Sequence, residues 1–304
     1  MPPTLPIPAW CLAHGRSLAL DRPRLIAIIN LTPDSFHAGA RFTDAGAAVD
    51  HAERAIAAGA EMLDVGAEST RPGAARISDD EQVRRLAPFL TQLRARRGTV
   101  ASTPVSVDTT LAEVARAALD AGADAINDVS AGNEDGAMLS LAAARGAGLV
   151  LMHRLRPPGT DSYSDRYSAK PRYHNVVEDV RTFLESRAQA ATDAGLARES
   201  IVIDPGLGFG KSVDQNLELI RATPRLASLG FPVLSALSRK SFVGRVSLGR
   251  DSAPEERLAG TLALSVAHMI AGARLFRVHD VPEHAEALRA AWELHTPARE
   301  PENP

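Results

Sequence analysis

The segment Ile201-Val202-Ile203-Asp204-Pro205-Gly206-Leu207-Gly208-Phe209-Gly210-Lys211 changes character at its centre. Its first half is a short β-branched run ending in an acid, which reads as a buried strand. Pro205 then stops the ladder. The alternating glycines that follow strip the loop of side chains and let its backbone approach a ligand closely. Asp204 is left at the strand's C-terminal tip. Two nucleotide motifs fit badly. A P-loop would need glycine at position 205, where Pro205 stands. A dinucleotide fingerprint needs two residues between its second and third glycines, but only Phe209 separates Gly208 from Gly210.

Working outward, the same strand-then-polar-tip pattern recurs. Strands are predicted at Leu25–Ile29, Met62–Gly66, Val105–Asp108, Ala125–Ser130, Leu149–His153, Ile201–Asp204, Val233–Leu237 and Leu275–Val278. Helices are predicted at Asp44–Ala58, Asp79–Arg97, up to Ala121, Met138–Ala144, Val176–Ala194, Asp214–Arg221, Glu255–Ala271 and Glu283–Leu294. The triplets Ala58-Gly59-Ala60, Ala121-Gly122-Ala123 and Ala271-Gly272-Ala273 each stand between a helix and a strand, where glycine makes the usual left-handed stop. About eight strand–helix units suit a (β/α)8 barrel, also called a TIM barrel. A doubly wound open sheet is the runner-up. It gathers ligand groups only at its switch point, whereas a barrel brings every strand end to one mouth. The expected organisation is a tail and a short hairpin or cover segment over residues 1–24, one barrel over 25–296 and a disordered tail over 297–304.

Composition narrows the class. The chain has 304 residues, 45% of them hydrophobic, which is enough for a sizeable core. A formal net charge of −3 gives no global reason to bind nucleic acid or an anionic membrane. The lone cysteine, Cys11, rules out an intrachain disulfide and fits a reducing cytoplasm. No apolar run approaches the ~18 residues of a membrane span.

In a barrel, one mouth collects Asn30, Thr70, Arg71, Asp108, Asn127, Asp204, Lys240, Arg277 and His279. Arg71, Arg277 and His279, with Asn30, Thr70 and Ser241, suit a phosphorylated group and its Mg²⁺. Asp108, Asn127, Asp204 and Lys240 suit a flat heterocycle rich in ring nitrogens. Plainer readings stand beside these: Asp108 as the cap of the next helix, Asp128 as a structural acid, His153 as a satisfied core histidine, and Lys211 as a solvated residue near a helix start.

At these residues the chain resembles the dihydropteroate synthase family. The motifs run in family order: Asn30-Leu31-Thr32-Pro33-Asp34-Ser35-Phe36, Glu68-Ser69-Thr70-Arg71-Pro72-Gly73, Ser106-Val107-Asp108-Thr109, Ile126-Asn127-Asp128-Val129-Ser130, the Asp204–Lys211 stretch, Ser238-Arg239-Lys240-Ser241-Phe242 and Arg277-Val278-His279-Asp280. The resemblance implies a (β/α)8 barrel that joins p-aminobenzoate to 7,8-dihydropterin-6-ylmethyl diphosphate and releases pyrophosphate. It implies that Asp108, Asn127, Asp204 and Lys240, with Phe209, hold the pterin, and that Asn30 helps bind Mg²⁺. Arg277 and His279 would grip the diphosphate. Thr70, Arg71, Pro72, Phe36 and Ser241 would shape the p-aminobenzoate site. Asp108, Lys240, Arg277 and His279 would form the catalytic set. A non-catalytic pterin-binding paralogue and a pterin-dependent methyltransferase domain are the alternatives. The chain departs from the family's usual pattern at Ala38, Ala67 and Ala236, at Arg154-Leu155, and in a longer loop to Arg172. The apolar segment Leu258-Ala259-Gly260-Thr261-Leu262-Ala263 predicts a homodimer through the penultimate helix, as the family commonly forms.

Overall fold

Each predicted strand carries apolar residues on consecutive positions, as parallel strands covered on both faces require. The computed structural model describes residues 7–32 and 45–296. It arranges eight parallel strands in one sheet: β3 (Arg24–Asn30), β4 (Met62–Gly66), β5 (Val105–Asp108), β6 (Ala125–Asp128), β7 (Gly148–Met152), β8 (Ile201–Asp204), β9 (Leu234–Ser235) and β10 (Leu275–Val278). Their spatial order is β8-β7-β6-β5-β4-β3-β10-β9. A parallel bridge between Ile203 and Val233, with Ile203 N–H donating to Pro232 at 3.0 Å, joins the two ends of the sheet. The expected barrel is therefore what the chain builds, and the open sheet is excluded.

An outer layer of helices covers the strands: α1 (Ala45–Ala57), α2 (Asp79–Ala95), the short α3 (Thr99–Ser102), α4 (Ala112–Asp120), α5 (Met138–Arg145), α6 (Val176–Asp193), α7 (Val213–Arg221), α8 (Thr223–Ala227), α9 (Ser241–Leu248), α10 (Leu258–Ile270) and α11 (Val281–His295). Their starts are written locally. Ser78 caps α2, Asn175 caps α6 by accepting from Val177 and Glu178, and Ser212 forms a reciprocal capping box with Gln215 on α7.

The antiparallel hairpin of β1 (Ala9–Cys11) and β2 (Ser17–Ala19) closes the N-terminal end of the barrel. Trp10 is fully buried and its indole N–H donates to Ser200 at 2.9 Å, just before β8. A side chain in place of Gly148, the first residue of β7, would collide with Leu12 and Trp10. Arg16 pairs with buried Asp124, which also accepts from Arg94 at 2.7 Å and from the Val105 amide at 2.9 Å. With that end plugged, access is left to the C-terminal mouth.

Some boundaries differ from expectation. The predicted strand Val233–Leu237 shrinks to two residues, and the strand from Ala125 stops at Asp128. Helix α9 was not expected at all. Its length is only eight residues and Gly244 interrupts it, so the sequence reads as loop. The predicted helix from Glu255 opens as a tight 3-10 turn, Pro254–Arg257, before α10 begins. The expected tail at 297–304 lies outside the described residues. Among the described residues, no helix is long and apolar enough to cross a membrane.

Candidate active site

Strand register sets the floor of the mouth. Asn30 lies opposite Gly66, Gly66 opposite Asp108, and Asp108 opposite Asn127, so the tips of β3 to β6 form one continuous row. Arg277, in β10, reaches across the barrel to this row. One of its nitrogens, Nη2, donates to Asp108 at 2.8 Å, and its Nε donates to Asp64. Asp64 also accepts from Ser106 Oγ and, at 3.2 Å, from Asn127 Nδ2. Asp64 was not singled out in the sequence. It sits mid-strand between Leu63 and Val65, and the period of two that sends those residues to the helices sends the acid into the barrel. That alternation was the available signal.

Asp108 is buried, which raises its pKa to about 7; Arg277 opposes the rise and Asp64 adds to it. One of its oxygens, Oδ1, has no hydrogen-bond partner among the described residues. A buried acceptor without a donor costs roughly 1–3 kcal/mol, so a ligand N–H is the group that would relieve it. Asp108 is not the cap of the following helix; that position belongs to Leu111.

The glycine stretch forms the facing wall. Asp204 accepts from the Gly206 amide at 2.7 Å, and burial raises its pKa against the pull of Lys240. Lys240 crosses the loop, donating to the Leu207 carbonyl with its ammonium 4.3 Å from the centre of the Phe209 ring. Burial draws Lys240 down to about 8, while Asp204 and Asp108 hold it up. The residue before it, Arg239, adopts φ 57, a strained conformation for a side-chain-bearing residue. It is held there by an ion pair with Asp280 and by its amide donating to Thr261 Oγ1 at 3.2 Å.

Lys211 is not solvated, contrary to the plain reading. It is fully buried, with Nζ within 2.9 Å of the Gly206 and Phe209 carbonyls, 3.3 Å of the His153 carbonyl and 3.0 Å of His153 Nδ1. Burial lowers it to about 7. It is a staple for the glycine loop, and His153 is the satisfied core histidine. Asp128 is the structural acid, accepting from the amides of Ser130 at 2.7 Å and Gly132 at 2.6 Å.

His279 stands beyond β10, with Nδ1 3.0 Å from Ser238 Oγ. The residue is exposed, and desolvation, then the charges of Arg277 and Arg239, push it down to about 3. That direction favours a neutral ring over a cation in the ligand-free protein. Thr70, Arg71 and Pro72 occupy the loop after β4, with Arg71 exposed. Thr70 and Asp108 line one cleft of about 200 Å³, together with Glu68, Thr110, Glu134 and Arg154. Ser241 is buried as the first residue of α9. Phe36 lies outside the described residues, as does Ala38.

As for a metal, no group of three or more His, Cys, Asp or Glu side chains among the described residues could hold an ion. Each acid of the mouth already has one partner: Asp64 and Asp108 pair with Arg277, and Asp204 accepts from the Gly206 amide. Half-buried Asn30 supplies one neutral oxygen, which suits Mg²⁺ only as an ion carried by substrate phosphates, its common mode.

Comparison with known proteins agrees with this geometry. The family model described as pterin binding enzyme matches residues 26–279. A dihydropteroate synthase of Streptococcus pyogenes serotype M6 is 41% identical over 280 residues, covering 92% of this chain and 98% of that protein. The Xanthomonas albilineans dihydropteroate synthase solved with 4-aminobenzoic acid superposes with a TM-score of 0.84 at 41% identity, covering 95% of this chain and 99% of the other. The same enzyme in complex with 7,8-dihydropteroate gives a TM-score of 0.81 at 39% identity, covering 94% and 99%. A pterin-type cradle at the mouth of a closed barrel, matched along nearly its whole length by these enzymes, places the chain in the dihydropteroate synthase family of pterin-binding enzymes.

Proposed function

We infer that the chain condenses p-aminobenzoate with 7,8-dihydropterin-6-ylmethyl diphosphate, giving 7,8-dihydropteroate and pyrophosphate for folate biosynthesis. The observation that carries the reading is the Asp108 oxygen that has no partner among the described residues, beside Asp204 and Lys240, an acceptor and donor set suited to a pterin edge. In this reading Asp108 and Asp204 accept from the N–H groups of the ring. Asn127 and Lys240 meet its other polar atoms, and Phe209 packs on it. The bond that breaks joins a methylene carbon to a diphosphate oxygen. A route through a methylene cation, SN1-like, has its charge spread into the pterin beside Asp108 and Asp204. Such preorganised charges are each worth about 3 kcal/mol in a water-poor site.

Arg277 and His279 grip the leaving diphosphate. Protein partners occupy Nε and Nη2 of Arg277, while Nη1 makes no hydrogen bond among the described residues. When bound, Mg²⁺ would neutralise charge on the diphosphate, with Asn30 as its protein ligand. The aryl amine is already nucleophilic, so no further base is required. Thr70, Arg71, Pro72, Phe36 and Ser241 position it. The protein works in the cytoplasm on small molecules, with no nucleic-acid or membrane partner.

The test is product formation from both substrates with Mg²⁺. Wild-type protein should release pyrophosphate and dihydropteroate together. Lys240→Ala should lower turnover by about a hundredfold or more. Pterin binding with no product would sink the reading, and near-wild-type activity would remove Lys240 from the site.

The chain also forms a homodimer through α9 and α10. Ala259, Ala263, Ala267 and Ile270 are exposed along α10, and Val246 and Leu248 on α9 beside it, although an outer barrel helix should present a wet face there. Light scattering at micromolar concentration should give twice the 32.2 kDa chain mass. A monomer mass would refute the pairing.

A further inference from the structure

Four loops meet on one carboxylate at the edge of the cleft. Glu134 follows β6. Its Oε2 accepts from the Thr110 hydroxyl at 2.6 Å and pairs with Arg76 Nη2 at 2.9 Å. Its Oε1 pairs with Arg154, whose side chain is almost wholly buried. Arg76 Nη2 also donates to Thr110 Oγ1 at 2.8 Å. So the loops after β4, β5 and β7 are all tied to an acid from the loop after β6. Burial works against ionisation of Glu134, but Thr110, Arg154 and Arg76 outweigh it and hold the carboxyl below its usual range.

The loop that gains most is residues 67–78, the one bearing Thr70, Arg71 and Pro72. No strand or helix runs through it. Its described anchors include the Arg76–Glu134 pair, the Gly73 amide donating to Pro158 at 3.0 Å, and the Ile77 amide donating to Glu68 at 2.8 Å. Pro158 belongs to the long loop after β7, the loop that Arg154 enters. That loop reaches the glycine stretch at its other end: Asp161 accepts from the Gly210 amide at 2.8 Å. The chain's departure at Arg154 thus supplies a second cation to the same acid, and Glu134 joins the wall carrying Thr70 to the loop packed on the glycine stretch.

We propose that Glu134 is a positioning residue for the aryl-amine substrate, its carboxylate clamping residues 67–78 between Arg76, Thr110 and Arg154. The proposal rests on the reading above that this loop receives p-aminobenzoate. Glu134 lies outside the set assigned to the reacting atoms; it acts by keeping the loop in its binding shape. Two readouts separate this from a merely structural role. In Glu134→Gln, amides of residues 67–78 should exchange with deuterium about tenfold faster while barrel-strand amides are unchanged. The KM for p-aminobenzoate should rise about tenfold, with kcat and the KM for the pterin diphosphate within about threefold of wild type. Arg76→Met should reproduce both effects, the double variant should be no worse than either single one, and Glu134→Asp should restore part of the loss. Unchanged exchange in 67–78 would overturn the proposal, as would faster exchange throughout the barrel with an unaltered KM. If no variant, wild type included, turns over substrate, the synthase reading fails, and the exchange pattern still decides whether the clamp exists.

Discussion

Replacing Arg277 with methionine should cost both fold and activity, the largest combined loss expected anywhere in the mouth. Arg277 is the described partner common to Asp64 and Asp108, both buried. Removing one member of a buried ion pair typically destabilises by about 3–5 kcal/mol, because the remaining charge is left uncompensated. Here two carboxylates are left, so one takes up a proton, and one of its oxygens turns from a charged acceptor into a donor. If Asp108 is the one neutralised, the cradle loses the negative charge it offers to the pterin and, in the same change, the diphosphate loses its clamp. Turnover should fall by about a thousandfold or more, beyond the effect of a single lost electrostatic donor. Urea denaturation and steady-state kinetics check the two halves. The double variant Arg277→Met with Asp64→Asn should recover part of the stability and none of the activity. Full stability in the single variant would mean that Asp64 and Asp108 do not depend on Arg277.

Gly206→Ala is the second large effect, and it separates two causes. Gly206 has φ +68, and a Cβ there would stand 1.8 Å from the His153 carbonyl oxygen and 3.3 Å from Lys211 Nζ. Gly249, the residue ending α9, has φ +70, and beyond its chain neighbours no atom of the described residues lies within 4 Å of the same added carbon. Left-handed backbone alone costs a non-glycine residue roughly 1–2 kcal/mol, so Gly249→Ala should lose about that much. Gly206→Ala must in addition displace the backbone leaving β7, which packed neighbours resist. Its loss should exceed about 4 kcal/mol, in the exceptional range for a point change. The shift would also disturb the Gly206 amide bond to Asp204 and the carbonyls around Lys211, so residual folded protein should bind pterin poorly. Equal denaturation midpoints for the two alanine variants would show that the close approach at His153 is not rigid.

These two residues also show what the sequence makes readable. Gly206 was legible because a Pro-Gly-x-Gly-x-Gly run after a β-branched strand has few other uses. Arg277 was legible as a polar residue in a short apolar strand. The closed barrel followed from the same repetition of strand, polar tip and helix. Asp64 was hidden because an acid between Leu63 and Val65 reads as an imperfect strand until the barrel interior gives it a direction. Glu134 was hidden for another reason: its three partners lie 20 to 58 positions away in the chain, and no local pattern links them. Helix α9 escaped because eight residues with an internal glycine fall below what periodicity resolves. The short β9 owes its definition to pairing with β10 rather than to its own composition.

The most direct measurement is a crystal structure of the chain with 7,8-dihydropterin-6-ylmethyl diphosphate. The pterin should lie between Asp108, Asn127 and Asp204, with an N–H on Asp108 Oδ1 and the Lys240 ammonium turned from Leu207 toward the ring. The diphosphate should then reach Arg277 and His279. A pterin bound in another orientation, or a diphosphate away from both residues, would contradict the single shared cavity on which every step here depends.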